Sequence, residues 1–326
     1  MRIAITGANG FVGRNLGPAL LAAGGDVVAL SREPVAWGSW RRSPSLDRDT
    51  DPGEWAASFR GVDVVVHAAA RAHVMHDDAI DPLDAFRRVN RDGTIAMARG
   101  AIAAGVRRIV FLSSIKVLGE TTDGRAPFDN DDPPAPADPY AVSKWEAEVA
   151  LAAAVRGTAT DLVVLRPPLI YGPGVGGNIA ALRRLLARRW WLPLARADAN
   201  RRSMISTGNL STAIHAAATV PAAAGRTLLV SDGEDMSTGE LLRRLATADG
   251  GRPRLFAVPP EWLRLAMLLT GRRTLWSRLF GDLRVDPART MQILNWRPSM
   301  SIEEGMIAMA ADGHGTAKAK ENSRAA

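Results

Sequence analysis

A glycine-rich loop follows the first predicted strand and limits the folds that are compatible with the sequence. Arg2–Thr6 is a short run typical of a buried strand, and Gly7, Gly10 and Gly13 follow it at every third position. A helix is predicted over Gly13–Ala23, so the loop joins a strand to a helix N-terminus. Glycines allow a tight turn and a close approach to the backbone, and the helix N-terminus attracts an anion. The loop is therefore typical of a binding site for the pyrophosphate of a dinucleotide.

The pyrophosphate is expected to contact backbone amides of this loop. The residues between the glycines also have such amides, so they are expected contacts as well. A glycine motif alone has little specificity, but a position between the first strand and the first helix makes it specific. We expect the dinucleotide to contact Gly7, Asn9, Gly10, Phe11, Val12 and Gly13.

Strands and helices alternate through the first half of the chain. The strands are mostly apolar, as expected for strands that are buried on both faces. The predicted strands are Arg2–Thr6, Asp26–Leu30, Asp63–Ala68, Arg108–Ser113 and Asp161–Leu165, and the predicted helices include Pro82–Ala104 and Tyr140–Val155. This alternation is typical of a doubly wound parallel α/β sheet of the Rossmann type.

The second half of the chain has a different pattern. After about Arg166 the loops become rich in glycine and proline, helices dominate and strands become short. A length of 326 residues suits a nucleotide-binding domain with a smaller partner. We predict a dinucleotide-binding domain over residues 1–165, a smaller α+β substrate domain over 166–312 and a flexible tail over 313–326. The boundary is expected to be interleaved, because Thr227–Ser231 resembles a strand that returns to either domain.

Composition excludes several classes of protein. The absence of cysteine excludes disulfides, cysteine-based zinc sites and a thiol nucleophile. The net charge of +7 comes from scattered arginine pairs without interleaved aromatic residues, so anionic metabolites are favoured over nucleic acid as partners. The N-terminus has no signal-peptide core, and no apolar run reaches the ~18 residues that a membrane span requires. A cytoplasmic location without stable membrane insertion is expected.

The end of the second strand bears on the choice of cofactor. An acidic residue at this place holds the adenosine ribose of NAD, but this strand ends in Ser31 and Arg32 and has Asp26 at its other end. Ser31 and Arg32 are suited to a 2′-phosphate, which favours NADP(H). NAD(H) stays as the alternative, in which Glu33 reaches back to the ribose and Arg32 is solvated.

A tyrosine and a lysine four residues apart form the candidate catalytic pair. Tyr140 and Lys144 share one face of a predicted helix, so the lysine cation is expected to lower the pKa of the phenol and make it an acid or base. The preceding strand ends in Ser113 and Ser114, which places two hydroxyls at the carboxyl edge of the sheet, where ligands bind. The sequence has no cluster of side chains that indicates a metal site.

Together with further segments, these motifs resemble the extended short-chain dehydrogenase/reductase family, whose members include sugar-nucleotide epimerases, dehydratases and reductases. The resemblance extends in family order from the first strand to about residue 305, and it is more specific for the family than for the substrate. The matching segments are Thr6–Gly13, His67–Ala70, Asn90–Thr94, Ser113–Gly119, Tyr140–Lys144, Arg166–Gly174 and Leu294–Pro298.

The resemblance implies roles for the matched residues. Tyr140 would be the acid/base, Lys144 would bind the nicotinamide ribose and tune Tyr140, and Ser114 would hydrogen-bond the substrate oxygen. Hydride would pass between the nicotinamide and a sugar carbon while Tyr140 moves the proton. Asn90 would help to hold the segment after the third strand. The further residues expected at the cofactor are Ala68, Ala69, Asn90, Ser113 and Pro167.

Other residues are expected at the substrate. Arg202 matches an arginine that family members aim at the substrate pyrophosphate, a role that suits bidentate contacts. Asn178 is expected to bind a phosphate or the sugar, and Lys116 is expected to point into the cleft. His73 and His76 are either sugar contacts or polar surface. The complete predicted substrate set is Ser114, Lys116, Tyr140, Asn178 and Arg202.

The residues after Ser114 discriminate between reactions. Family 4,6-dehydratases carry an Asp-Glu pair there, and Ile115 with Lys116 cannot repeat that elimination chemistry, so a dehydratase is excluded. The preference for NADP(H) favours reduction of a 4-keto nucleotide sugar, of the UDP-4-keto-6-deoxy-N-acetylhexosamine type. The alternative is a UDP-hexose or UDP-N-acetylhexosamine 4-epimerase. Ser113–Val117 and Arg201–Ile205 resemble a surface-polysaccharide subgroup in which both activities are described.

Two further hypotheses stay open at this point. A non-catalytic NADP-binding sensor predicts a broken Ser-Tyr-Lys set, whereas Ser114, Tyr140 and Lys144 are all present. A steroid-like ketone as substrate would make the role of Arg202 unnecessary. Family members often dimerise through helices that would include Tyr140–Val155, so a homodimer is an expected partner arrangement.

Two segments in the second half of the chain contain tryptophans that suit either a surface or a core position. Trp262–Phe280 is basic and amphipathic, and it suits either a membrane surface or a helix that packs on the core of the substrate domain. We favour packing on the core. Trp190 and Trp191 are likewise predicted to lie in the core or in the wall of the cleft.

Overall fold

The structure, a computed structural model, describes residues 1–72, 81–270 and 273–322. In chain order its strands are β1 (Arg2–Thr6), β2 (Asp26–Ser31), β3 (Ser39–Arg42), β4 (Val64–His67), β5 (Arg108–Leu112), β6 (Asp161–Arg166), β7 (Leu169–Tyr171), β8 (Arg202–Ser206), β9 (Thr227–Leu229) and β10 (Asp235–Met236). Seven parallel strands form one sheet in the order β3-β2-β1-β4-β5-β6-β9, and β10-β8-β7 form a second, smaller sheet. The predicted doubly wound parallel sheet is confirmed.

Helices connect most of the parallel strands, because a parallel pair requires a crossover connection. They are α1 (Phe11–Ala22), α2 (Pro52–Ser58), α3 (Pro82–Arg87), α4 (Thr94–Ala103), α5 (Pro139–Val155), α6 (Gly177–Ala187), α7 (Thr207–Thr219), α8 (Thr238–Ala248), α9 (Pro260–Leu269), α10 (Arg273–Phe280), α11 (Ala288–Leu294) and α12 (Ile302–Asn322). Among the helices of the described chain, none reaches the length and hydropathy needed to span a bilayer.

The larger sheet is buried on both faces. Ile3 and Ile5 of β1 lie in one apolar cluster, which includes residues of α1 and α7, while Ala4 between them lies in the cluster on the opposite face. The opposite cluster contains Trp55 of α2 and Met97 of α4. Each large apolar side chain that is fully buried in this way contributes about 1.5–3 kcal/mol. The apolar run that predicted β1 is therefore explained by helices on both sides.

The predicted helix over Pro82–Ala104 is divided in the structure. A π-helical turn, Arg88–Gly93, lies between α3 and α4. The turn brings Gly93 against the backbone of the segment before α2, where an added Cβ would lie 2.7 Å from the Asp47 nitrogen. The same turn buries Asn90. A π-helical turn at this place is a local feature that the apolar periodicity of the sequence does not report.

The second half of the chain contributes to both sheets. Thr227–Leu229, the segment expected to return to either domain, is β9 and pairs in parallel with β6 in the larger sheet. The smaller sheet packs its own cluster, which includes Tyr171, Met204 and Met306. Helix α12 continues to Asn322, through most of the segment for which a tail is predicted, and residues 323–326 lie outside the described chain.

Candidate active site

Three loops meet at the carboxyl edge of the larger sheet. The parallel register places Thr6 of β1 opposite His67 of β4, and His67 opposite Phe111 of β5. The glycine loop, the alanines after β4 and the serines after β5 therefore leave the sheet side by side. Ligands of doubly wound sheets bind at this edge.

The glycine loop is packed too closely for side chains. Gly7 has φ +70°, and a Cβ on it would lie 2.8 Å from the Ala69 Cα atom. A Cβ on Gly13 would lie 2.3 Å from the Gly7 carbonyl oxygen. Helix α1 begins after Gly10 with no side-chain cap and no acidic residue in its first turn, so its first amides are free for an anion. The predicted loop, including Asn9, Phe11 and Val12, thus has the geometry that a pyrophosphate requires.

The end of β2 does not present its serine to a ligand. The Ser31 side chain is buried, its hydroxyl donates to the Glu33 carbonyl oxygen at 2.5 Å, and it accepts a hydrogen bond from Trp40 Nε1 at 3.1 Å. Both bonds hold the hydroxyl inside the loop, which corrects the expectation that Ser31 receives a 2′-phosphate. Arg32 is exposed. The case for NADP(H) then depends on Arg32 alone.

Helix α5 positions the predicted catalytic pair. Asp138 caps the helix, and its Oδ1 atom accepts a hydrogen bond from the Ala141 amide at 2.7 Å, which places Tyr140 in the first turn. The Tyr140 ring meets the edge of Phe86 at a centroid distance of 6.0 Å. Lys144 is buried one turn further on, and its Nζ atom lies 3.9 Å from the centroid of the Phe111 ring. The two side chains thus share one face of the helix, as predicted.

The protonation of the pair differs from the expectation. Burial, assisted by the charge of Asp138, raises the pKa of Tyr140 to about 12. Burial lowers the pKa of Lys144 to about 7, and the carboxylate of Glu148 opposes that change. The predicted lowering of the phenol pKa by the lysine is absent, because burial dominates both groups.

The surroundings of the Lys144 ammonium are suited to a nicotinamide ribose. Its ammonium makes no hydrogen bond or ion pair with any residue of the described chain, although it is only 2% exposed. A buried ammonium needs acceptors, and ribose hydroxyls supply them. Acceptors at Nζ also favour the charged form of the lysine and so raise its pKa. The donor set therefore fits the cofactor that the family resemblance implies.

Ser113 and Ser114 have separate surroundings. The Ser113 hydroxyl donates to Glu148 Oε1, and its amide donates to the Leu165 carbonyl oxygen at 2.7 Å. Ser114 is half-buried and caps the short turn Ile115–Val117, where its hydroxyl oxygen accepts from the Lys116 amide at 3.3 Å. The Ser114 hydrogen stays available for a substrate oxygen, whereas Ser113 holds the structure behind it.

A buried ion pair that sequence reasoning missed lies behind the catalytic pair. Arg166 binds Glu148 through two hydrogen bonds, of 3.0 Å and 2.5 Å, and both side chains are 5% exposed. The pair links α5 to the end of β6. Its signal in the sequence is the position of Glu148, one helical turn after Lys144. The buried Pro167 follows Arg166, and its carbonyl oxygen accepts from the Ile115 amide at 3.0 Å.

Asn90 connects the segment after β4 to α5. Its Oδ1 atom accepts from the Arg71 amide at 2.8 Å, and its Nδ2 atom donates to the Arg71 carbonyl oxygen at 3.1 Å. Nδ2 also donates to the Ser143 hydroxyl at 3.0 Å, and that hydroxyl donates to the Tyr140 carbonyl oxygen at 2.7 Å. Asn90 thus binds the segment that contains Ala68 and Ala69 to the helix that carries Tyr140.

His67 is a second residue that the predicted site omitted. It lies fully buried between the Thr6 and Thr94 hydroxyls, at 2.7 Å from Nδ1 and 2.9 Å from Nε2, and it stacks on Phe111 at 5.8 Å. Burial and the charge of Lys144 lower its pKa to about 3, so its ring is neutral. The ring supports Phe111, which in turn contacts the Lys144 ammonium.

Lys116 does not occupy the position that we expected. Its Nζ atom binds Asp138 Oδ2 at 2.5 Å and Glu120 Oε1 at 3.0 Å. Two carboxylates therefore hold the ammonium at the N-terminus of α5, in place of the predicted contact with the sugar. Lys116 fixes the residue that caps the catalytic helix.

The remaining predicted substrate residues lie in the second half. Arg202 at the start of β8 donates to the carbonyl oxygens of Ser277 at 3.4 Å and Gly281 at 3.0 Å, which hold it at the end of α10. Asn178 is exposed in the first turn of α6. His73 and His76 lie outside the described residues.

Comparison with known proteins agrees with this geometry. A UDP-glucose 4-epimerase of Vibrio cholerae is 38% identical over 309 residues, covering 93% of this chain and 92% of that protein. The structure of UDP-glucose 4-epimerase from Thermotoga maritima with UDP-glucose matches with a TM-score of 0.77 at 20% identity, covering 97% of this chain and 100% of that chain. A short-chain dehydrogenase/reductase superfamily protein from Agrobacterium tumefaciens with bound NAD matches with a TM-score of 0.74 at 23% identity, covering 99% of both chains.

The two structural matches show the fold, and the sequence matches show the family. The profile of the NAD dependent epimerase/dehydratase family matches residues 3–230, which include the glycine loop, Tyr140 and Lys144. The resemblance to extended short-chain dehydrogenases/reductases is thereby confirmed. This chain belongs to the NAD dependent epimerase/dehydratase family.

Proposed function

We propose that this chain is an NAD-dependent 4-epimerase of a UDP-hexose or UDP-N-acetylhexosamine. The observation that carries the proposal is the pairing of Tyr140 with a buried Lys144 that lacks an acceptor and lies over Phe111 of β5. Ser114 and the glycine loop follow β5 and β1 at the same carboxyl edge of the sheet. The similarity to the Vibrio cholerae UDP-glucose 4-epimerase, over nearly the full length of both chains, supports the substrate class.

The same observations support NAD in preference to NADP(H). Ser31 is engaged by Glu33 and Trp40, so half of the predicted 2′-phosphate site is occupied by the protein itself. An epimerase returns its hydride to the same sugar carbon, so it does not draw on the cellular NADPH pool. The 4-epimerase, our alternative in the sequence analysis, therefore replaces the 4-keto reductase as the preferred function.

Each residue of the site has a defined task in this reaction. When bound, NAD would supply the hydride chemistry at the C4 carbon of the sugar. Tyr140 removes the proton of the C4 hydroxyl and later gives it back, and Ser114 donates a hydrogen bond to the same oxygen. Lys144 holds the nicotinamide ribose and, once charged, stabilises the phenolate of Tyr140. The amides of the glycine loop bind the pyrophosphate of the cofactor.

The substrate is proposed to bind in the second half of the chain. We assign residues 1–165 to the cofactor domain and 166–312 to a substrate domain, with β9 returning to the larger sheet. Arg202 and Asn178 are the proposed contacts of the nucleotide diphosphate. For Arg202 this requires its guanidinium to exchange the Ser277 and Gly281 carbonyl oxygens for phosphate oxygens.

The test is conversion of the sugar without consumption of an external reductant. The purified chain is incubated with UDP-glucose or UDP-N-acetylglucosamine, with NAD added, and the C4 epimers are separated by chromatography. We expect an equilibrium mixture of both epimers with no net change in NADH absorbance. Absence of the second epimer from both substrates would exclude the proposal.

A 4-keto reductase is the second candidate, and the exposed Arg32 favours it. In that case a UDP-4-keto-6-deoxy-N-acetylhexosamine, made in the assay by a separate dehydratase, would be reduced with stoichiometric oxidation of NADPH. Arg32→Ala would then weaken NADPH use and leave NADH use unchanged. An epimerase shows neither behaviour.

A further inference from the structure

The large apolar side chains that are exposed on the described chain are concentrated in one region. Trp262 is 72% exposed and Leu269 is 80% exposed, although both belong to α9. The remaining members of the region are Trp190, Trp191, Phe256, Leu265 and Leu268. These exposures correct two expectations, because neither the tryptophan pair nor the start of Trp262–Phe280 packs on the core. Single exposed apolar residues are ordinary, whereas a contiguous group marks an interaction surface.

The contacts beneath the surface join its segments into one region. Leu192 pairs with Leu255 in a β-bridge. The segment that contains Trp190 and Trp191 therefore runs next to the segment that contains Phe256. Leu192 and Leu255 share an apolar cluster with Leu279 and Phe280 of α10. The Phe280 ring stacks on Trp276 at 4.2 Å. Arg264, Met267, Leu268 and Trp276 then line a cavity of about 410 Å³ between α9 and α10.

The region is also strongly basic. Glu261 is the only acidic residue within residues 188–196 and 252–269. The same stretches contain six arginines, which are Arg188, Arg189, Arg196, Arg252, Arg254 and Arg264. All six are exposed, and none forms an ion pair within the described chain. The Arg188 guanidinium lies 5.2 Å from the centroid of the Trp190 ring, at the margin of the apolar side chains.

We propose that this apolar–arginine surface docks on an anionic lipid bilayer. Tryptophan rings prefer the boundary between headgroups and acyl chains, and leucines next to them enter the acyl region. Arginines around such an apolar face bind lipid phosphates. Helix α9 is too short to cross a bilayer, so it would lie in the plane of the interface. The surface is therefore suited to peripheral, reversible attachment.

Charge argues against a second copy of the chain as the occupant. A two-fold contact places the same surface on both partners, so it would bring the six arginines of one copy against those of the other. Like charges across an interface are unfavourable, whereas a bilayer that contains phosphatidylglycerol offers the opposite charge.

The experiment measures co-sedimentation of the full chain with vesicles in the absence of any sugar nucleotide. Vesicles of phosphatidylcholine alone are compared with vesicles that also contain phosphatidylglycerol. We expect binding to the anionic vesicles only, with a loss of binding as salt is raised, because salt screens the arginines. The double variant W262S/L269S should bind about tenfold more weakly, since it removes two apolar side chains that would enter the bilayer.

Ile307→Ser is the matched control, because Ile307 is 62% exposed on α12, a helix that contributes no residue to the apolar–arginine surface. It should bind vesicles as the parent chain does. The proposal is overturned if the parent chain does not sediment with anionic vesicles, or if I307S and W262S/L269S lose binding equally. It is also overturned if the parent chain self-associates through this surface and W262S/L269S restores a monomer. Because no substrate is present, none of these outcomes bears on the proposed epimerase activity.

Discussion

The two sides of the proposed site are built differently. On the cofactor side, the residues are buried and already bound to one another, as in the Glu148–Arg166 pair and the hydrogen bonds of Asn90. On the substrate side, Asn178 is exposed and Arg202 binds carbonyl oxygens of α10. The cofactor side is organised in advance of binding, whereas the substrate side must change its contacts to bind a diphosphate.

This difference between the two sides bears on substrate specificity. A site that is organised in advance stabilises the reacting atoms without further ordering, so the same cofactor side serves many reactions. We therefore expect the exposed substrate side to determine which sugar nucleotide is bound. Each side can be tested separately by substituting residues whose hydrogen-bond partners are known from the structure.

The largest effect is expected at Tyr140. Tyr140→Phe removes the proton donor and acceptor, so turnover should fall about a thousandfold while NAD binding is retained. Tyr171→Phe is the matched control: the only other tyrosine donates to Asp232 at 2.8 Å and lies outside the site. It should lose stability and keep its turnover. The measurement is the epimerisation rate of each variant with UDP-glucose. Substantial turnover by Y140F would contradict the acid/base role.

A stability effect is expected behind the catalytic pair. Glu148→Gln leaves Arg166 buried without its counter-ion, which should cost about 3–5 kcal/mol of unfolding free energy. Glu146→Gln is the control on the same helix, since Glu146 binds Arg87 with 25% and 34% of the two side chains exposed. That partly exposed pair should contribute about 1 kcal/mol or less. Urea unfolding of both variants measures the difference. Equal losses of unfolding free energy would show that the buried Glu148 pair contributes no more to stability than the partly exposed Glu146 pair.

Two features of the cofactor side could be predicted from the sequence, because their signals are local. The glycines at every third position and the spacing of Tyr140 and Lys144 are short-range patterns that the fold converts directly into neighbours. The buried strands are equally readable, because helices on both faces require uninterrupted apolar residues.

Two of the errors arose where a side chain binds a residue outside its own helix or strand. Lys116 binds Asp138, and Ser31 binds Trp40, and no local pattern reports either contact. The raised pKa of Tyr140 was likewise not predicted, since its burial outweighs the neighbour four residues further along the helix. On the substrate side, Trp262 was assigned to the core because amphipathic periodicity does not say what covers the apolar face.

A smaller effect is expected on the substrate side. Arg202→Leu should raise the KM for the UDP-sugar about tenfold to a hundredfold, the value of a lost charge-assisted hydrogen bond, and should leave NAD affinity unchanged. Arg201→Leu is the control, because Arg201 also donates to carbonyl oxygens, of Asp198 and Asn200, without an assigned substrate contact. An unchanged KM in R202L together with a lowered Tm would show that Arg202 only holds α10.

The last prediction concerns the acid stability of the cofactor side. The pKa of His67 is about 3 in the folded chain against 6.5 for the exposed group, so between these values the unfolded chain carries a proton that the folded chain lacks. Stability should therefore fall as the pH is lowered through this window, with His67 contributing about 1.4 kcal/mol per pH unit. His67→Gln should remove that contribution from the slope of unfolding free energy against pH, measured by urea unfolding from pH 7 to pH 4. An unaltered slope in H67Q would mean that the ring between Thr6 and Thr94 takes up a proton in the folded chain, and that the carboxyl edge is less closed than its hydrogen bonds imply.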